Sequence, residues 1–236
     1  MNLIVVEPSD FIAAGRVRVS GRRSRHITSV LRANQGDELS VGLLGGALGR
    51  GVVRAIGTDD VELEVVFDRD PPPPLPLTLV VALPRPKVLN RIVAAATSLG
   101  IKRIVIINAW RVEKSYWSTP RLDPDNLRLQ SILGLEQARD TMLPLIETRR
   151  LFRPFVEDEL PSLAAGTRAL VAHPMATELC PREVPEPVTL AIGPEGGFIE
   201  QEIASLVRAG FTPVTIGDRI LRVETAIASI AGRLAG

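Results

Sequence analysis

The chain has 236 residues, 28 Lys and Arg against 27 Asp and Glu, a formal net charge of +1 and 45% apolar residues, a composition that excludes disorder and allows a small domain beside a larger one. No apolar run approaches the roughly 18 residues of a membrane span, and the start has early acids in place of a signal peptide's basic flank, so the expected location is the cytoplasm. A single cysteine, Cys180, and two histidines, His26 and His173, exclude an intrachain disulfide and argue against metal chemistry.

Residues 1–70 read as short strands at Val17–Val19, Glu38–Leu43, Gly51–Ile56 and Val61–Val66, broken by Leu44-Gly45-Gly46 and Gly57-Thr58-Asp59-Asp60, which predicts a small β-barrel. Within it, Ile27, Val30 and Leu31 fall at i, i+3 and i+4, predicting a short amphipathic helix with Arg25, His26 and Arg32 near its polar side. Six arginines and no acid lie between Arg16 and Gly36. Local clustering, not whole-chain charge, is what a phosphate backbone responds to, so Arg22, Arg23, Arg25, His26 and Arg32 are candidate RNA contacts; the alternative is a solvated basic face. Asp70 then opens a proline-rich run, residues 71–76, whose prolines lack amide donors and favour an extended linker.

From residue 77 to 236 the rhythm becomes strand and helix in alternation. Strands are predicted at Leu77–Leu83, Arg103–Asn108, Ala169–Ala172, Val188–Ile192 and Pro213–Ile216. Helices are predicted near Val88–Leu99, within Asp125–Asp140, near Glu200–Ala209 and from about Glu224. Such alternation indicates an α/β domain with a mostly parallel sheet.

Two segments stand out as chemistry. Thr189–Phe198 is a buried-looking strand entering the turn Gly193-Pro194-Glu195-Gly196-Gly197, with Glu200-Gln201-Glu202 heading a helix. Ligands bind at the carboxyl ends of strands in open α/β sheets, and glycine permits close backbone approach. The turn lacks the Gly-Lys-Ser/Thr ending of a phosphate loop and the spaced glycines of a dinucleotide site. Some twenty residues on, Ile216–Ala226 is again a strand end, a loop and a helix start. Read alone, each is equally a tight turn and a solvated, dipole-matched helix start.

Taken together, Gly193-Pro-Glu-Gly-Gly-Phe and Leu221-Arg-Val-Glu-Thr-Ala resemble the C-terminal signature of RsmE-type uridine-N3 methyltransferases of small-subunit ribosomal RNA, in the SPOUT class. Leu83–Lys87, Ala96–Ile101 and Glu136-Gln137 match further stations of that family's catalytic domain, and Arg25-His26-Ile27 through Arg32 matches its PUA-like RNA-binding domain. The resemblance implies a SPOUT-type parallel-sheet domain with a C-terminal trefoil knot behind a PUA-like β-barrel, a homodimer, and S-adenosyl-L-methionine as cofactor. It places the cofactor on His173, on Ile192, Gly193, Pro194, Glu195, Gly196 and Gly197, and on Ile216, Gly217, Ile220, Leu221, Val223, Thr225 and Ala226. The chain departs from the family at Ala95, Ala96 and Ser98, at Ala138-Arg139-Asp140, and at Val223, where a hydroxyl is usual.

Methylating uracil N3 requires loss of an imide proton and donors for the charge that develops on the carbonyls. Arg222 is the first candidate for that role and Arg111, after another strand, the second. Glu224 is open to either of two roles, orienting an arginine or taking part in proton removal, and no general base is assigned. The partner implied is ribosomal RNA or the small subunit. Two alternatives are a non-catalytic RNA-binding assembly factor that keeps the fold and a SPOUT enzyme acting on another RNA.

Overall fold

The computed structural model describes residues 2–235. Contacts divide the chain into two compact units, Met1–Pro73 with Ser131–Leu143, and Pro74–Gln130 with Pro144–Gly236. Sequence order places residues 131–143 inside the C-terminal domain, but their contacts assign them to the first unit.

The first unit contains β1 (Ile4–Val6), β2 (Phe11–Ala13), β3 (Arg16–Ser20), the short helix α1 (Arg22–Arg25), β4 (Glu38–Leu43), β5 (Leu48–Ile56) and β6 (Asp60–Arg69). The strands form one sheet in the order β1-β4-β5-β6-β3-β2, with β1 parallel to β4 and the other pairs antiparallel. Alternation in Arg-Val-Arg-Val-Ser puts Val17 and Val19 inside, where they join Ile4, Val41, Val53 and Leu63 in one core. That cluster draws on edge strand β1 as well as on β3 near the far edge, so the sheet curls around it. Irregularities in the β5–β6 register help it bend. At one of these Gly49 is obligatory, because a Cβ there would lie 1.8 Å from the Val66 carbonyl oxygen.

The amphipathic helix expected over 24–31 is corrected in form. After α1 the chain opens into a wider π-type turn, His26–Val30, in which the Leu31 amide donates to the His26 carbonyl at 2.9 Å. This i→i+5 spacing breaks the stacking of i, i+3 and i+4. Ile27 is buried, whereas Val30 and Leu31 are exposed.

The arginine cluster meets carboxylates from distant parts of the unit. Arg18 pairs with Glu62 at 2.7 Å, and Arg23 pairs with Asp10 through both nitrogens at 2.5 and 2.7 Å while also donating to the Val5 carbonyl. Arg22 forms a fork on Glu136, at 2.7 and 2.9 Å, and the Glu136 side chain is only 1% exposed. Removing one partner of a buried pair leaves an uncompensated charge. Arg22→Ala should therefore cost about 2–3 kcal/mol, below the usual penalty for a fully buried pair because Arg22 is itself partly solvated. Thermal melts should show a fall of several degrees for Arg22→Ala and partial recovery in the Arg22→Ala/Glu136→Gln double variant. Equal melting temperatures for wild type and Arg22→Ala would refute the structural role.

The second unit holds β7 (Leu75–Ala82), α2 (Pro86–Ser98), β8 (Ile101–Ile107), the first part of α3 (Pro124–Ala138), β9 (Leu145–Arg149), the short helices α4 (Phe152–Pro154) and α5 (Leu160–Leu163), β10 (Arg168–Ala172), β11 (Val188–Ile192), α6 (Glu200–Arg208), β12 (Thr212–Val214) and α7 (Val223–Ala235). Its sheet is wholly parallel in the order β12-β10-β11-β7-β8-β9. Central strand β11 is buried at every position, as a strand covered on both faces must be, which is why Val-Thr-Leu-Ala-Ile reads as a continuous run. Its one hydroxyl, Thr189, is satisfied by Thr167 at 2.8 Å. Helix α2 starts on Pro86, where a missing amide costs nothing, and buries Leu89, Ile92, Val93, Ala96 and Thr97 along one face. Helix α7 buries Val223, Ile227, Ile230, Ala231 and Leu234 in the same manner. No helix among the described residues is long and apolar enough to cross a membrane.

Candidate functional site

Strands β12, β10 and β11 lie side by side and point the same way, so the loops leaving their carboxyl ends meet. There they enclose a cavity of about 220 Å³. His173 follows β10; Ile192, Gly193, Pro194, Glu195, Gly196 and Gly197 end β11; Ile216, Ile220, Leu221, Val223 and Ala226 come from the second loop and the start of α7. All of these line the cavity. Gly217 and Thr225 do not. Gly217 instead shapes the loop, with its amide donating to the Thr215 hydroxyl at 3.3 Å, and Thr225 is exposed.

The lining also includes Ala172, Pro174, Val214, Thr215, Arg219 and Ile230, which sequence reasoning did not single out. Ile230 had a legible signal, since Val223, Ala226 and Ile230 share one face of α7. Apolar walls with backbone polar groups on a glycine-rich rim suit a nucleoside-like ligand with an apolar face.

Gly193 is fixed by close approach: a Cβ there would sit 2.7 Å from the Phe198 amide nitrogen and 3.0 Å from the Gly197 carbonyl carbon. The loop is braced by Glu195, whose carboxylate accepts the Arg85 amide at 3.0 Å. Arg111 lies across Gly196 and donates to its carbonyl oxygen. A Cβ on Gly196 would meet the Arg111 Cδ at 2.9 Å, so the missing side chain there makes room for arginine.

Glu202, 6% exposed, holds two elements together: one oxygen accepts the Trp110 amide at 2.7 Å and the other the Ile199 amide at 3.0 Å. The Tyr116 hydroxyl donates to Glu113 at 2.8 Å, and that bond, with burial, raises its titration above the usual phenol range.

Of the three catalytic candidates, Arg222 is exposed beside the cavity between two lining residues, and its guanidinium has no partner among the described residues. Glu224 is partly buried and pairs with Arg91 at 3.5 Å. Arg111 is engaged with the Gly196 carbonyl rather than pointing free. Among the described residues no group of three His, Cys, Asp or Glu is placed to hold a metal ion.

In the first unit, Arg22 and Arg23 are committed to Glu136 and Asp10. Arg25 and Arg32 are exposed, and half-buried His26 shares a cleft with Arg25, Ser29 and Gln137.

Residues 71–235 match the family model described as an RNA methyltransferase domain. The chain belongs to that RNA methyltransferase family. Residues 19–66 match a second model, an RNA methyltransferase PUA domain.

A relative from Treponema pallidum called ribosomal RNA small subunit methyltransferase E is 32% identical over 96% of this chain and 87% of its own length. One of the same name from Mycobacterium bovis is 29% identical over 91% of this chain and 84% of its own. Among solved structures, a Legionella pneumophila protein crystallised with the cofactor SAM aligns with a TM-score of 0.77, at 22% identity over 98% of this chain and 95% of that one. A ribosomal RNA small subunit methyltransferase E from Neisseria gonorrhoeae, bound to S-adenosyl methionine, aligns at 0.71 and 23% identity with the same coverage. The fold class expected from the sequence, a SPOUT-type parallel-sheet domain preceded by a PUA-like domain, is the one this family has.

Proposed function

We propose that the protein transfers a methyl group from S-adenosyl-L-methionine to N3 of a uridine in 16S ribosomal RNA of the small subunit. The observation that carries the reading is the convergence of both signature loops on one cavity at the ends of β10, β11 and β12. The names of the full-length relatives support the substrate class, and the cofactor in the aligned structures supports the methyl donor. A cytoplasmic homodimer with a C-terminal trefoil knot belongs to the same proposal, on the family resemblance.

The cavity residues fit the cofactor: Ile192, Val214, Leu221 and Ile230 offer apolar walls, and the tightly folded 193–197 turn offers backbone groups at the rim. When bound there, the cofactor supplies an electrophilic methyl on a sulfonium. The protein's part is to align N3 with it and to accommodate the displaced charge. N3 lies on the pairing edge of uracil, so the base must arrive unpaired or extruded. Arg222, unpaired among the described residues, stabilises negative charge on a uracil carbonyl, Arg111 holds the Gly196 turn in shape, and Glu224 keeps the start of α7 in register through Arg91. Incubating the protein with labelled cofactor and small ribosomal subunits from cells lacking the modification should place label in ribosomal RNA. Cofactor binding without transfer to any RNA would favour a non-catalytic assembly factor.

RNA docking by the first unit is assigned to Arg25 and Arg32, because Arg22 and Arg23 serve the fold. The Arg25→Ala/Arg32→Ala variant should weaken RNA binding and reduce the slope of log K against log salt by about 2, with cofactor affinity unchanged. An unaltered slope in a salt titration would move the RNA footprint elsewhere.

A further inference from the structure

The two tryptophans of this chain are used very differently. Trp117 is tied into the fold, its indole nitrogen donating to Asn108 at 3.0 Å and its ring lying 5.5 Å from the Arg150 guanidinium carbon. Trp110 is 79% exposed, and its indole nitrogen has no partner among the described residues. The backbone that carries it is nonetheless fixed, because buried Glu202 binds the Trp110 amide and the Ile199 amide together. Helix α6, which Ile199 precedes, leads directly out of the cavity loop. Arg111, the next residue, lies over Gly196 of that loop. A large aromatic face is thus held at a set position beside the cavity without contributing to the core.

What surrounds the indole narrows its occupant. The exposed side chains that follow it in the sequence are charged, Arg111, Glu113 and Lys114, and the turn that Arg111 covers carries Glu195, whose carboxylate accepts the backbone amide of exposed Arg85. A subunit contact would be depleted in charge at its centre. An exposed aromatic plane with cations close to it in the chain matches a nucleic-acid strand, whose bases stack on the ring while cations answer the phosphates. Resting on the reading of this protein as an RNA methyltransferase, we propose that Trp110 stacks on an unpaired base of the substrate RNA next to the nucleotide entering the cavity, with exposed Arg85 and Lys114 serving the adjoining backbone.

The test uses the full chain and two probes, small-subunit ribosomal RNA and an oligouridylate. Trp110→Ala should weaken binding of both by about ten- to a hundredfold, the range for losing one aromatic stack, and Trp110→Phe should recover most of it. Cofactor affinity and melting temperature should stay at wild-type values, since Trp110 neither lines the cavity nor packs in the core. RNA affinity unchanged in Trp110→Ala would overturn the proposal. So would a loss of oligomer in that variant by sedimentation, which would make the indole a subunit contact. The two readings separate cleanly: Trp110-dependent RNA binding by a wild type that transfers no methyl supports the stack and sinks the methyltransferase activity. Methyl transfer and RNA binding both indifferent to Trp110→Ala sink the stack alone.

Discussion

Arg222→Ala is expected to lower single-turnover methyl transfer by about two to three orders of magnitude, the range for removing a preorganised donor that stabilises charge in a transition state. The expectation rests on position: Arg222 stands exposed between cavity-lining Leu221 and Val223, with no carboxylate among the described residues holding its guanidinium. A side chain with no partner in the fold contributes little to stability, so melting temperature and cofactor affinity should hardly move. Arg222→Lys keeps the charge but loses the planar fork, and partial rescue would indicate that two oriented hydrogen bonds are needed. If Arg222 were structural, cofactor affinity, turnover and melting temperature would fall together. A wild-type single-turnover rate for Arg222→Ala removes it from the mechanism.

Gly193→Ala should weaken cofactor binding up to about a hundredfold, from the 1–3 kcal/mol that overpacking a rigid site typically costs. The atoms a Cβ would meet are the Phe198 nitrogen and the Gly197 carbonyl carbon, both backbone, so relief requires the whole 193–198 turn to open. Gly196 is a useful contrast, because its nearest obstruction is the Cδ of Arg111, a side chain that can swing aside. Gly196→Ala should therefore weaken cofactor binding less than Gly193→Ala, while releasing Arg111 from the turn. Calorimetry on the two variants gives the order directly, and equal, wild-type affinities for both would show that the turn is not the cofactor's rim.

What the sequence made legible was local. The buried run of β11 with its glycine turn, and the second loop entering α7, are each contiguous, and together they supply eleven of the fourteen residues expected around the cofactor, with His173 after β10 the twelfth that the cavity contains. What it concealed was distant pairing. The stretch from Arg16 to Gly36 looks uniformly basic because its counter-charges, Asp10, Glu62 and Glu136, lie outside it, the last of them 114 residues from Arg22. Strand β1 went unnoticed because three apolar residues carry no periodicity, and its partner Val41 enters only through the fold. Val30 and Leu31 fit a helical stripe on paper, yet the π-type turn sends both to the surface. The link between Trp110 and Glu202 spans 92 positions and is likewise invisible to local reading.

Nucleoside mass spectrometry tests most directly the proposed methylation of uridine N3 in small-subunit ribosomal RNA. Ribosomal RNA from a strain lacking the protein should contain no N3-methyluridine in the small subunit, with the mark restored by the wild-type chain and not by Arg222→Ala. Small-subunit RNA that keeps its N3-methyluridine in the strain lacking the protein would contradict the account.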